Sequence, residues 1–375
     1  MRLLHLHSSF HAGGKELRAA RLINAFGPAV SHVIVSAQPE ELGAASAIAG
    51  GISVSYPMDF PALSGRPWPG RLLRLARAMQ GFDLILTYNW GAMDAVLAHT
   101  LFAESLNLPP LVHHEDGFNQ DEAVRLKRSR NWYRRIALGR CAALVVPSTR
   151  LEAIALEQWC QPHGRVHRVA NGIATAVYGK KPKPDVLPRL IKRKGELWLG
   201  TIAGLRKIKN LPRLVRAFSA LPDEWQLVIL GEGSERAAIL AEASRLDIAD
   251  RVHLPGFVAD PAKVVGLFDL FALSSDSEQF PLSVVEAMAS GLAVASTDVG
   301  DIAAMLTPEN RPFLAPPAKE GDFADAIERL ALDSALRNRI GEANRIKARA
   351  EFDEAGMIAA YRQIYGAALG RAAFP

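Results

Sequence analysis

Short apolar strands alternate with amphipathic helices along all 375 residues, which predicts an α/β protein whose sheets are parallel. Two further features divide it into two doubly wound halves. The length exceeds what one ordinary core holds. The alternation also breaks at "YGKKPKPDVLPRLIKRKGE", Tyr178 to Glu196, where Lys, Arg and Pro crowd together and periodicity fades, as in a linker or at the rim of the second half. The expected organisation is a first half over residues 1–185, a second over 186–354, and a closing amphipathic helix in 355–375 that packs back on the first half. Two such halves facing each other leave a cleft at the carboxyl ends of their strands, where ligands bind.

Taken in order, "RLLHLHS" reads as a strand, followed by a loop holding Gly13 and Gly14 and by the helix "KELRAARLINAF". "SHVIVSA", "FDLILTY", "PPLVHHE" and "AALVVPS" continue the first series. The second series begins with "LWLGTIA" and the helix "LPRLVRAFSAL", then "WQLVILG", the helix "SERAAILAEASRL", "RVHLPG" and "LFALSS". A helix over Pro281–Ser290 and the strand "LAVAST" follow, and "DEAGMIAAYRQIYGAAL" supplies the closing helix. No repeat of fixed period and no low-complexity tract interrupts the series.

Hydrophobic residues make up 49% and charged residues 22%, an ordinary globular balance. No apolar run reaches the roughly 18–20 residues that span a bilayer. The opening "MRLLHLHSSF" reads as a strand and not as a signal peptide, and Cys141 and Cys160 read as reduced, buried thiols of a cytosolic protein. The formal charge of +5 and a pI near 9.2 suit nucleic acid, anionic lipid or a phosphorylated small molecule, without choosing among them.

The stretch "SSDSEQFPLSVVEAMASG", Ser274 to Gly291, carries the strongest chemistry. Pro281 suits a first helical position and Gly291 a helix end. The amides of Leu282, Ser283 and Val284, with the helix dipole, then form an anion site that fits a phosphate. Glu278 lies in the loop delivering that helix. Glu286 lies in an apolar run, where a carboxylate is costly unless it is paired. As an acceptor-only group it suits the vicinal hydroxyls of a sugar or ribose.

"EQFPLSVVEAMASGLAVASTDVGD" resembles the E-x7-E signature of the family-4 retaining glycosyltransferases of the GT-B fold, typically written E-G-F-G-L-P-x-x-E-A-M-A-x-G-x-P-V-V-A-S. Glu278 and Glu286 fall on its two acids, and the match runs on through Gly291, Val299 and Gly300. The resemblance implies that Glu278 contacts the donor sugar as a catalytic group. It implies that Glu286 contacts the nucleotide ribose, and that Phe280, Leu282 and Ser283 line the same donor site. Gln279 and Pro281 stand where the pattern has Gly, which leaves the sugar undefined.

Other segments extend the resemblance. "GTIAGLRKIKNLPRLVRAFSAL" is similar to the family's G-R-L-x-x-x-K-N segment. Lys209 takes the position of the cation that offsets diphosphate charge, and Arg206 is the candidate to replace an Arg whose place Gly204 occupies. Gly13 and Gly14 match the N-terminal Gly-Gly loop, which lies over the donor phosphates or near the acceptor. The "GEGSER" turn at Gly231–Arg236 matches the family's GxGxxR, and Asn171–Gly172–Ile173 matches a turn near the hinge. In "PPLVHHEDGFNQDE" relatives carry a His facing donor or acceptor. His114 or Asp116 takes that place, and an acid here could act as general base.

The implied protein is a metal-independent, retaining hexosyltransferase. It moves a sugar from a UDP- or GDP-linked donor to the hydroxyl of a lipid or lipid-linked glycan in cell-envelope glycolipid, lipopolysaccharide or polysaccharide synthesis. It needs no cofactor beyond that donor, and no D-x-D metal motif accompanies the acids, Asp276 being alone. A basic, aromatic stretch from Arg125 to Arg140 and a second at Arg66–Gln80 point to peripheral docking at the inner face of the cytoplasmic membrane, with no nucleic-acid partner. The alternative is a non-catalytic basic adaptor that binds nucleotide or membrane.

Overall fold

The apolar runs build strands whose successive side chains feed two different cores, as parallel sheets covered on both faces require. In the computed structural model, which describes residues 1–118, 122 and 126–375, the chain divides into two compact units. The first comprises Met1–Asn171 with Met357–Pro375, and the second Gly172–Gly356.

The first unit holds β1 (Arg2–His7), β2 (Ser31–Ser36), β3 (Val54–Ser55), β4 (Leu84–Tyr88), β5 (Leu111–His114), β6 (Ala143–Val146) and β7 (Val166–Arg168). They form one parallel sheet in the order β3-β2-β1-β4-β5-β6-β7. Along β4, Leu84 and Leu86 enter one core and Ile85 the other. The core of Leu84 and Leu86 also takes Ile23 and Phe26 from helix Gly14–Phe26, and Met357, Tyr361 and Tyr365 from helix Glu354–Ala368. The opposite core is filled from helices Pro69–Ala78, Met93–Phe102 and Thr149–Glu157.

The second unit holds β8 (Leu197–Ile202), β9 (Trp225–Leu230), β10 (Val252–Gly256), β11 (Leu270–Leu273), β12 (Val294–Thr297) and β13 (Leu314–Ala315), parallel in the order β10-β9-β8-β11-β12-β13. Each sheet reverses direction beside its first strand, between β1 and β4 and between β8 and β11. Open α/β sheets place ligands at the carboxyl ends of strands at such a reversal.

The Lys- and Pro-rich stretch at Tyr178–Glu196 lies inside the second unit and not at its edge. The division falls earlier because residues beyond it are already tied into that unit. Ile173 donates to Phe352 O at 3.0 Å and accepts from Glu354 N at 2.9 Å, while Tyr178 and Leu187 are buried. One thiol also departs from expectation. Cys141 is buried, but Cys160 is exposed, at φ 52° just past a helix end. No helix among the described residues is long and apolar enough to cross a membrane.

Candidate functional site

The loops after β8 and β11 meet at the reversal of the second sheet. Lys209, at the end of the first loop, places its Nζ 2.5 Å from Glu278 Oε1 in the second. Ser275 Oγ donates to the same oxygen at 2.7 Å. The loops are stitched together beneath this pair. Asp276 N donates to Ile208 O at 2.8 Å, Ser274 Oγ to Lys209 O at 2.9 Å, and Arg213 Nη1 to Ser274 O at 3.0 Å. Arg213 and Asn210 also reach the Asp276 carboxylate, at 2.8 and 3.1 Å. Asn210 adopts the left-handed conformation, φ 44°, so that the chain can turn from the Lys209 loop into helix Leu211–Phe218.

Two glycines set how closely neighbouring segments approach. Gly231, at φ 144°, brings the turn after β9 against Ala203 O, which a β-carbon would meet at 1.9 Å. The "GEGSER" turn therefore backs the loop carrying Arg206. Arg236 in that turn is spent on Glu232 and Leu254 O. Gly300, at φ 61°, lies against the carbonyls of Glu278 and Gln279, where a β-carbon would sit 2.6 and 2.7 Å away. Asp301 N donates to Gln279 O at 3.1 Å and Thr297 Oγ1 to Ser275 O at 2.6 Å, so the segment after β12 supports Glu278 from behind. Arg206 is exposed beside the open Gly204.

The helix delivered by this loop spans Leu282–Ala289, with Pro281 as its N-cap and not its first helical residue. Val284 N donates to Pro281 O at 3.1 Å, so of the three amides expected to be free, that of Val284 is used internally and those of Leu282 and Ser283 remain. Ser290 caps the helix and Gly291 follows at φ 78°. Glu286 is 8% exposed and its Oε1 accepts from Tyr178 Oη at 3.1 Å. The Phe280 ring stands edge-on to Phe352, centroids 5.6 Å apart.

In the first unit, Gly13 is the N-cap of helix Gly14–Phe26. Its first turn already holds a carboxylate: Glu16 is buried, 3.2 Å from Lys15 Nζ, and would lie 2.6 Å from a β-carbon at Gly13. The Gly-Gly turn thus accommodates Glu16, and Lys15 Nζ also donates to Ser8 Oγ at 3.2 Å. Glu three residues past an N-cap is a common helix-start arrangement and was readable as one.

His114 and Asp116 are both fully engaged. The carbonyl of Thr87, 3.1 Å from His114 Nδ1, can only accept, so Nδ1 carries the proton and Nε2 accepts from Tyr365 Oη at 2.8 Å. Burial, reinforced by Arg18, lowers the His114 pKa to about 3, so the ring is neutral. Asp116 forms a two-point pair with Arg18, which also donates to Asn171 Oδ1 at 2.7 Å. Burial opposes ionisation of Asp116, but the Arg18 charge prevails and holds its carboxyl below the ordinary value.

The basic, aromatic stretch expected at a membrane surface is turned partly inward. Helix Arg128–Ala137 presents Trp132 and Ile136 to solvent, 61% and 56% exposed. Arg134, in contrast, is fully buried between Glu115 at 3.2 Å and Glu122 at 3.4 Å, with its guanidinium over Trp90, Phe118 and Trp159. Arg130 pairs with Glu122 at 2.9 Å. Arg125 lies outside the described residues. Sequence reasoning missed Arg18, Arg134, Ser275 and Tyr178. The first two sit among basic residues that look solvated, and the last two are joined to their partners only by the fold.

The profile of the family described as Glycosyltransferase Family 4 matches residues 12–177, and that described as Glycosyl transferases group 1 matches residues 184–347. The chain is 28% identical over 207 residues to N-acetyl-alpha-D-glucosaminyl L-malate synthase of Bacillus anthracis, covering 55% of this chain and 54% of that protein. It is 31% identical over 157 residues to the lipopolysaccharide core biosynthesis glycosyltransferase LpsE of Rhizobium meliloti, covering 42% and 46%. The matches thus span about half the length of these relatives. The crystal structure of Anabaena HepE in complex with UDP superposes with a TM-score of 0.78 at 19% identity, over 98% of this chain and 99% of that one. With both family profiles matched in succession and both sheets built as in this neighbour, the chain belongs to the family-4 glycosyltransferases of the GT-B fold.

Proposed function

We propose that the protein transfers a sugar, with retention and without a metal ion, from a UDP- or GDP-linked donor to an acceptor hydroxyl. The observation that carries this reading is the Lys209–Glu278 pair at the sheet reversal, beside the start of a helix that bears a buried Glu286. A diphosphate would draw Lys209 away from Glu278 and add the dipoles of the Leu282 and Ser283 amides, with Arg206 near enough in sequence to share the charge. Glu278, released, would accept from hydroxyls of the sugar, and Glu286 from those of the ribose. The bond from the anomeric carbon to the phosphate oxygen breaks and a bond to the acceptor oxygen forms on the same face. The acceptor proton passes to the departing phosphate. His114 and Asp116 stay outside this chemistry in the proposal, because both nitrogens of the first and the carboxylate of the second are committed to partners.

The acceptor proposed is a lipid or lipid-linked glycan of the cell envelope, in keeping with the lipopolysaccharide core biosynthesis for which LpsE is named. Docking to an anionic membrane is supported by the outer surface of three neighbouring helices of the first unit. Trp68, Leu101, Trp132 and Ile136 are exposed there, among the exposed Arg74, Arg77, Arg128 and Arg135.

A thermal-shift panel of UDP, GDP and their sugars tests the reading. The matching nucleotide at a hundred times its Kd adds about 2.7 kcal/mol and raises the melting temperature. Lys209→Ala and Glu286→Ala should each weaken its affinity about ten- to hundredfold. If no nucleotide shifts the melting while anionic vesicles still bind, the adaptor reading stands in its place.

A further inference from the structure

Glu286 accepts a hydrogen bond from a phenol that no part of the donor-site pattern requires. Tyr178 ends the short helix Thr175–Tyr178, is 6% exposed, and donates to Glu286 Oε1 at 3.1 Å. Its own position is over-determined. Thr175 Oγ1 donates to Asp353 Oδ2 at 2.5 Å, and Ile173 exchanges backbone hydrogen bonds with Phe352 and Glu354 at 3.0 and 2.9 Å. Gly172 is packed so tightly on this crossing that a β-carbon would meet Asp353 O at 2.9 Å. The phenol is thus presented by a rigid element, and a ring with two torsions loses little freedom in holding its hydroxyl in place.

We infer that Tyr178 is a positioning residue for the nucleotide. It fixes the Glu286 carboxylate in the orientation that receives the two ribose hydroxyls. A carboxylate has lone pairs for about four hydrogen bonds, so the phenol alone does not exhaust them. Without that donor the carboxylate loses one of the contacts that orient it and is less well stabilised as an anion in a buried setting. This inference rests on the proposed ribose-binding role of Glu286.

The test compares UDP (or GDP, whichever the panel selects) with its 2′,3′-dideoxy analogue by calorimetry. The proteins are wild type, Tyr178→Phe, Glu286→Ala and the double variant. Tyr178→Phe keeps the ring, and its melting temperature reports whether the fold is intact. The expected result is a three- to tenfold loss of affinity for the natural nucleotide in Tyr178→Phe. Affinity for the dideoxy analogue should change less than twofold, and the Tyr change should cost nothing further once Glu286 is gone. If Glu286→Ala weakens the natural nucleotide but Tyr178→Phe does not, or weakens both nucleotides equally, the positioning role is overturned and the ribose reading survives. If Glu286→Ala itself binds like wild type, the ribose reading falls and the positioning role falls with it.

Discussion

Replacing Gly300 by Ala adds one carbon at the point where the chain leaves least room. The residue sits at φ 61°, and the new β-carbon would lie 2.6 Å from Glu278 O and 2.7 Å from Gln279 O. A carbon needs about 3.4 Å from such an oxygen, so one backbone segment must retreat by roughly 0.8 Å. Both obstacles are carbonyls of the loop carrying Glu278, and neither can swing aside as a side chain would. The left-handed backbone costs Ala about 1 kcal/mol and the forced repacking about 1–3 kcal/mol more. The predicted destabilisation is therefore about 2–4 kcal/mol. The larger effect is functional. If Glu278 meets the transferring sugar as proposed, a displacement near 1 Å lowers turnover by about a hundredfold. Affinity for the nucleotide alone should fall far less, because Glu286, the proposed ribose partner, sits on the following helix. Calorimetric melting, nucleotide titration and initial transfer rates on the same preparation check these three quantities. A Gly300→Ala protein that melts within a degree of wild type and transfers sugar at the same rate would refute the idea that this contact sets the position of Glu278.

Two further outcomes are expected in the first unit. Arg134→Met should destabilise it by about 3–5 kcal/mol, since Glu115 and Glu122 are left buried without their cation, and a urea midpoint equal to wild type would contradict this. Acid should weaken the unit before its carboxylates titrate. Burial lowers the pKa of His32 to about 4 and that of His114 to about 3, so between those values and about 6.5 the unfolded chain binds more protons than the folded one. The stability these rings contribute is whole above pH 6.5 and is lost as pH falls, by about 2 kcal/mol for each at pH 5. Urea midpoints at pH 7.5, 6 and 5 followed by near-ultraviolet dichroism should decline in that order, and equal midpoints would show that these rings are not buried neutral.

The sequence was most informative where chemistry follows chain order. The strands are short, mostly apolar runs, and the loops after β8 and β11 carry the segments whose family resemblance implies one donor site for Lys209 and Glu278, which lie 2.5 Å apart. It was least informative where burial contradicts residue type. Arg134 sits in a run of basic residues that reads as a solvated helix face, yet three aromatic rings and two glutamates drawn from other segments enclose it. His114 sits beside acids and so looks reactive, but its partners Thr87 and Tyr365 come from β4 and from the distant closing helix. The dense run of Lys and Pro at Tyr178–Glu196 marked a surface, whereas the unit boundary at Asn171 is set by a backbone crossing that composition does not register.

The closing helix gives the order of biosynthesis a physical consequence. Met357, Tyr361, Ile364, Tyr365 and Phe374 complete the core that Leu3, Phe10, Ile23 and Leu84 begin. As the polypeptide leaves the ribosome, the earliest strands must therefore wait, one sheet face incompletely covered, until the whole of the later unit has been made. The later unit, Gly172–Gly356, is complete in sequence before that segment emerges. The nascent chain thus closes in reverse of its order of synthesis, and the interval is one in which a holding chaperone would find exposed apolar surface to bind.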